Sequence, residues 1–419
     1  MKNSIVVFIF LLMLLFPTTG MLLKAVLIFP FLLFAFTLGV NNKILDVTIG
    51  LFLMFYMLVG VLFSLEGLYF NAPGAVKVLT VMVLWPIVFT ILGTCFRKKE
   101  QFNLLLIAFI VASYVLFLIS VLIFYQSELG IENVLTFLFA NDSVGYYASG
   151  LPKYANDSIS SAVYMLPFFV GFFVYFKIQT VAFCKNYKVV YYNILGAMVP
   201  IFIVAVLSGR KALMLEFLLM LLIIPALVFY VKPAIRVRFL GKFIAFLSAF
   251  LVVLLIVAYM FPGFESSLSA YFIEGFDFTN AGNNDAYIRY LQFDSLMDGW
   301  RGHPLFGNGF GNHTNFIRDP NHPWAYELFY VAFLFWTGIV GVIAYGAGIL
   351  WIIFQMIFIV KKENKTLYGG FVFSCLVAMI LFLVANATNP YLGKFSYMWV
   401  IFLPVAIINY DRIYARRVL

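Results

Sequence analysis

The run "FNLLLIAFIVASYVLFLISVLIFY", Phe102 to Tyr125, holds no charged residue. A segment of that length and composition fits a helix crossing a bilayer, because a helix satisfies its own backbone hydrogen bonds where no water can do so. Outward from it, comparable apolar runs lie at Ile5–Phe16, Met21–Leu38, Ile44–Ser64, Val76–Cys95, Ser158–Phe176, Val189–Leu207, Ala212–Val231, Phe239–Phe261, Phe333–Val360, Leu367–Ala387 and Ser396–Tyr410. Together these give an all-α polytopic membrane protein of about twelve transmembrane helices. The 419 residues are 64% hydrophobic and only 11% charged, too little polar surface for a water-soluble globule. The segments of ~10 residues with alternating polarity that mark a membrane β-barrel are absent from the sequence. Lys2 and the short first run have the form of a signal peptide, but "PTTG" at 17–20 is no A-x-A cleavage site, so a retained helix is expected.

Basic residues in short loops set the orientation. With both termini cytoplasmic, the inner segments collect Lys2, Lys43, Arg97, Lys98, Lys99, Lys177, Lys185, Lys188, Lys232, Arg236, Arg238, Lys242, Lys361, Lys362, Lys365, Arg412, Arg416 and Arg417. Only Asp46, Glu100, Glu363 and Asp411 join them from the acidic set. The formal charge of +9 is therefore a topological signal, and no basic, aromatic-interleaved face points to nucleic acid. Cys95, Cys184 and Cys375 lie in spans or near their inner ends without close spacing, which argues against disulfides and zinc.

Two outer segments exceed what a connector needs, 126–157 and 262–324. The expected organisation is a bundle over 1–261, a loop subdomain over 262–324 between the ninth and tenth spans, and a second bundle portion over 325–419. Within the larger loop, "NNDAYIRYLQFDSLMDGW" (283–300) spaces Tyr287, Tyr290, Leu291, Phe293, Leu296 and Met297 for an amphipathic helix, with Asp285 and Arg289 at i,i+4 on its polar side. "GNGFG" (307–311) reads as a compact turn, Pro323 as the start of the next helix, and Gly338 with Gly341 as sites of close helix packing.

Several residues have the chemistry of a site. Arg210 and Lys211, in "SGRKA", occupy an outer turn that the positive-inside bias disfavours, and a guanidinium there suits a phosphate or pyrophosphate. Glu216 lies inside an apolar helix, either as the partner of a cation or as a functional carboxylate. His303, His313 and His322 lack metal-ligand spacing. His303 and His313 read as loop histidines, whereas His322 precedes a membrane-entering helix and suits a general base. Glu327 is either the first-turn acid of that helix or a catalytic carboxylate.

"SGRKA" between two spans, a large loop with an Arg-bearing helix, "HPLFGNGFG" and then "TGIVG" resemble the O-antigen polymerase and O-antigen ligase superfamily of bacterial inner membranes. The likeness covers 206–341 by motif and the remainder by topology. It implies glycosyl transfer on the periplasmic face without metal or cofactor, from a glycan on undecaprenyl pyrophosphate. Arg210, Arg289 and Lys211 would then bind pyrophosphate, and His322 or Glu327 would act on the acceptor. Many ligases carry a His-Asn pair before the last helix, whereas here Asn321 precedes His322 and Pro323 follows. A polymerase is therefore expected, with lipid-linked oligosaccharides as donor and acceptor, membrane lipids as surroundings and a chain-length regulator as a further partner. The alternatives are a ligase acting on lipid A–core and, from another class, a lipid-linked glycan flippase.

Overall fold

A computed structural model describes residues 2–17, 23–29, 44–128, 143–146, 152–155, 157–179, 187–208, 211–231, 241, 284–363 and 366–414. Apart from one short hairpin, the regular structure in these residues is helical. The helices are α1 (Lys2–Leu15), α2 (Val47–Tyr69), α3 (Ala75–Gly93), α4 (Lys99–Glu128), α5 (Ala162–Gln179), α6 (Tyr187–Leu207), α7 (Lys211–Val231), α8 (Asn284–Gly302), α9 (Phe329–Lys362), α10 (Leu367–Ala385) and α11 (Trp399–Ile413). Strands β1 (Ser143–Tyr146) and β2 (Pro152–Ala155) pair antiparallel within the first of the two long segments expected outside, a feature the apolar pattern did not foretell.

Seven of these helices are long and apolar enough to cross a membrane, at Val47–Tyr69, Ala75–Gly93, Lys99–Ile123, Ile159–Lys177, Lys188–Ala205, Phe329–Lys362 and Leu367–Ala385. The chain is a multi-pass membrane protein by helix length and hydropathy. The first and eighth expected spans form shorter apolar helices, and the last is a 15-residue buried helix entered through two 3-10 turns. The second expected span is described only over 23–29, and the ninth, Phe239–Phe261, lies outside the described residues.

The centre of the bundle is α10, whose residues are buried almost throughout and which packs closely on α5. Gly171 and Gly370 permit that approach: a Cβ on Gly171 would meet Val377, and one on Gly370 would meet Phe172 and Tyr175. Phe109, Tyr164, Phe168, Phe371 and Trp399 fill the interior with edge and tilted ring contacts. In contrast, Leu51, Met54, Leu58, Leu62 and Leu65 of α2 are exposed, as lipid-facing positions are. In α3 a π-helical turn, Thr80–Leu84, precedes Pro86. Pro86 has no N–H for the carbonyl of Met82 and its ring crowds that carbonyl, and the wider turn relieves the clash.

One end of the bundle gathers ion pairs. Lys99 meets Glu363 at 2.8 Å, Lys362 meets Asp411 at 3.0 Å, and Arg412 donates to Thr48 at 2.7 Å and approaches Asp46 at 3.4 Å. Asp46 also caps α2 through Thr48 N, while Asn409 accepts from Asp46 N. All these residues belong to the end that the charge pattern assigns inside. At the opposite end, Lys24 is buried and donates to Ser396 Oγ at 2.9 Å and to the carbonyl of Phe16.

Candidate functional site

The end opposite the ion-pair ring is built around a break in α9. Gly338 has φ 58° and ψ −167°, a conformation essentially restricted to glycine, so the helix stops and restarts there. A break frees carbonyls above it and N–H groups below it, and membrane-depth backbone tolerates this only when protein satisfies both. The segment 304–309 does so. Asn308 N donates to Phe335 O and Gly309 N to Trp336 O, both at 2.9 Å, while Ile339 N reaches Pro304 O and Val340 N reaches Leu305 O, both at 3.0 Å. Gly338 is thus a seat for this loop, correcting its expected role in helix–helix packing. A Cβ there would lie 2.3 Å from Leu305 O.

The glycine-rich turn is locked on its other side as well. Gly307, Gly309 and Gly311 have φ of 82°, 78° and 78°. Phe310 N donates to Phe63 O of α2 at 2.9 Å, and Gly74 N at the start of α3 donates to Gly311 O at 3.0 Å. Phe310 itself is fully buried against Phe63, Phe333 and Trp336. "GNGFG" is a turn, as expected, and its glycines also let three elements of backbone touch.

α8 lies along the upper part of α9. A Cβ at Gly299 would strike the Phe335 ring, and the fully buried Gln292 accepts from Glu327 N at 3.0 Å. The buried face carries Arg289, Gln292 and Leu296, whereas Tyr290 and Phe293, expected on the apolar contact face, are exposed. Helical periodicity located the helix, and packing against polar partners at 327 chose a different face. The Asp285 side chain lies outside the described atoms, and Arg289 pairs elsewhere.

That pairing is the centre of the site. Arg289 Nε donates to Glu327 Oε2 at 2.8 Å, with the two side chains only 16% and 18% exposed. Arg318 binds the other oxygen, Glu327 Oε1. Glu327 does not sit in the first turn of the membrane-entering helix: α9 begins at Phe329, with Leu328 as its cap, and Pro323 belongs to a turn in which Ala325 N donates to His322 O. Freed from the helix ladder, Glu327 turns toward the loop and holds two guanidinium groups that are far apart in sequence. Nothing in "NFIRDP" separates Arg318 from a solvated loop cation, so the sequence alone does not mark it.

The loop that carries Arg318 is itself pinned. The buried Tyr326 hydroxyl accepts from Thr314 N at 2.7 Å, and Trp336 Nε1 donates to Asn312 O at 2.8 Å. Burial pushes the Tyr326 phenol above its ordinary range, against the opposing effect of the Thr314 bonds. His322 is 59% exposed, with Nδ1 at 2.9 Å from Asp319 Oδ2. Asp319 also accepts from Asn321 N at 2.9 Å, and these contacts, His322 first, hold its carboxyl below the usual range. His322 is therefore an open, carboxylate-oriented imidazole on a turn. It is not held over a buried cavity, because the helix expected to begin at Pro323 starts later.

The remaining candidates are placed separately. His303 and His313 are exposed loop residues, as expected. Arg210 lies outside the described residues, and Lys211 is the first residue of α7, its side chain likewise outside them. Glu216, one helical stretch on, is fully buried, and neither carboxylate oxygen has a hydrogen-bond partner among the described residues. No protein-family profile matches the chain and no curated protein matches it either, so the resemblance drawn from its motifs rests on the quoted residues alone.

Proposed function

We propose that the chain is a polyprenyl-pyrophosphate-dependent glycosyltransferase of the O-antigen polymerase kind, extending a lipid-linked glycan on the periplasmic side of the inner membrane. The observation that carries this reading is the Arg289–Glu327–Arg318 cluster, seated at the bundle end where Lys/Arg are otherwise sparse. Departure of a polyprenyl pyrophosphate builds negative charge, and fixed cations in a site of low dielectric stabilise it without reorganisation. Arg289 engages Glu327 through Nε, and its two terminal nitrogens bond to no other described residue, leaving the planar fork for bidentate phosphate recognition. The N-terminus of α7, which begins at Lys211 directly after Arg210, is a second place that favours an anion. His322, held by Asp319 through Nδ1 on a side chain 59% exposed, is the group to take the acceptor hydroxyl's proton.

The test has two arms. Cysteine-accessibility mapping with membrane-impermeant reagents is expected to label 284–324 from the periplasm; labelling from the cytosol only removes the proposal. Purified protein in nanodiscs, given lipid-linked oligosaccharide, is expected to lengthen the glycan. A deletion strain that still carries one repeat unit on lipid A–core identifies a polymerase, whereas loss of all repeat units identifies a ligase.

A further inference from the structure

We infer that Leu305 and Phe306, together with Tyr69 and Phe70, form an interfacial foot that inserts into the lipid at the hydrocarbon boundary opposite the ion-pair ring, seating the α8 loop on the membrane. The inference rests on the multi-pass architecture and is independent of glycosyl transfer. Two helices measure the depth of the loop from that ring. Along α2, the rise from Asp46 to Phe63–Gly67, where Phe310 and Gly309 dock, is about 26–32 Å at 1.5 Å per residue. Along α9, the rise from Lys362 back to the break at Gly338 is about 36 Å. A hydrocarbon core is ~30 Å thick, so both measures put the docked loop at its far boundary.

At that level the surface is apolar and open. Tyr69 is 82% exposed, Leu305 59% and Phe306 57%, and Phe70 is partly exposed beside the His303 ring. These residues continue the exposed stripes of α2 (Leu62, Leu65, Leu68) and of α9 (Ile339, Val340, Ile343). Val340 N is bonded to Leu305 O, so loop and lipid-facing helix share one surface. Aromatic rings at the edge of such a stripe are what a membrane–water interface selects. The occupant is therefore the lipid that covers α2 and α9, reaching up to the loop. Because the same loop is bonded to both halves of α9, the foot fixes α8 relative to the bilayer surface.

The experiment uses the full chain in liposomes with a bimane label on Phe306→Cys, and the same label on Asn315→Cys as an exposed loop reference. Lipids brominated near the head group are expected to quench the 306 label about threefold more than the 315 label, as interfacial residence requires. Equal quenching at both positions overturns the inference. So does a 306 label shielded from aqueous iodide yet untouched by bromolipid, since a protein surface then covers the foot. Should labelling at the native cysteines blur the reading, p-benzoylphenylalanine in place of Phe306 gives a second measurement: crosslinks to phospholipid support the foot, and crosslinks to protein or to nothing refute it. None of these outcomes depends on whether the protein transfers sugars.

Discussion

Replacing Gly309 by alanine perturbs the place where three stretches of backbone meet. Its φ is 78°, and an added Cβ would lie 2.2 Å from Gly67 N, a backbone atom that cannot swing aside. Either α2 or the loop must move, and the loop is the less anchored of the two. Undocking it endangers the bonds Asn308 N→Phe335 O, Gly309 N→Trp336 O, Phe310 N→Phe63 O and Gly74 N→Gly311 O. Each is worth about 0.5–1.5 kcal/mol net. The left-handed backbone adds about 1–2 kcal/mol for a residue with a Cβ, and the fully buried Phe310 ring about 1.5–3 kcal/mol if it is withdrawn. Local relaxation recovers part of this, so a loss of about 3 kcal/mol is the lower bound we expect, equivalent to about a hundredfold fall in amide protection.

Hydrogen exchange of the full chain in nanodiscs, followed over 303–311, reads this directly. Gly346→Ala is the control: a Cβ there meets nothing within 4 Å, so helix propensity makes it neutral or stabilising by up to about 1 kcal/mol. Should Gly309→Ala leave protection within about threefold of the native chain, the docking described for the loop is wrong.

Further outcomes follow from other parts of the molecule. Arg289→Ala and Arg318→Ala are each expected to lower glycan extension by about 10²–10³-fold, with Arg289→Lys a poor replacement because an ammonium lacks the fork; long glycan from either alanine variant in a complemented deletion strain counts against the site. In His322→Ala the Asp319 carboxyl is expected to titrate closer to its ordinary value, measured by carboxyl NMR, because His322 is the main cause of its depression. The sign is that of a depressed acid: the turn's added stability is present above the usual aspartate range and is lost as pH falls through the lowered value. Lys362→Met strands the buried Asp411 and is expected to cost about 3 kcal/mol, whereas pairing it with Asp411→Leu recovers most of the loss, as read from denaturation of the two variants in detergent.

The helices were legible because a membrane span announces itself by the mere absence of charge over its length, as in 102–125. What lay beyond reach were the places where backbone meets backbone. "GNGFG" and "TGIVG" were visible as glycine-rich, but no pattern says that Gly309 faces Gly67, since such contacts leave no side-chain signature. The bundle-facing side of α8 was beyond reach for a related reason: periodicity marks the apolar residues, and here Gln292 and Arg289 are turned inward toward Glu327. Arg318 escaped because its role is fixed by a carboxylate nine positions later on a turn whose path only the fold supplies. Lys24, by contrast, was unremarkable in its apolar run, and its burial beside Ser396 requires the 3-10 turns ahead of α11.

Under the proposed function, the cluster also divides the work between Glu327 and His322. A general base must have a lone pair free at the moment the proton arrives, within hydrogen-bond reach of the hydroxyl. Glu327 spends one lone pair of each oxygen on a guanidinium group, and protonating it would leave two cations without their shared counter-charge. In the proposed reaction Glu327 is the clasp that holds the two guanidinium groups together, leaving the cluster with one net positive charge. His322 differs in that one ring nitrogen, Nδ1, is held by Asp319 and the side chain is 59% exposed. Under the proposed function, a donor pyrophosphate on the arginines and an acceptor hydroxyl at the imidazole would leave both pairs in place, as preorganised transfer requires.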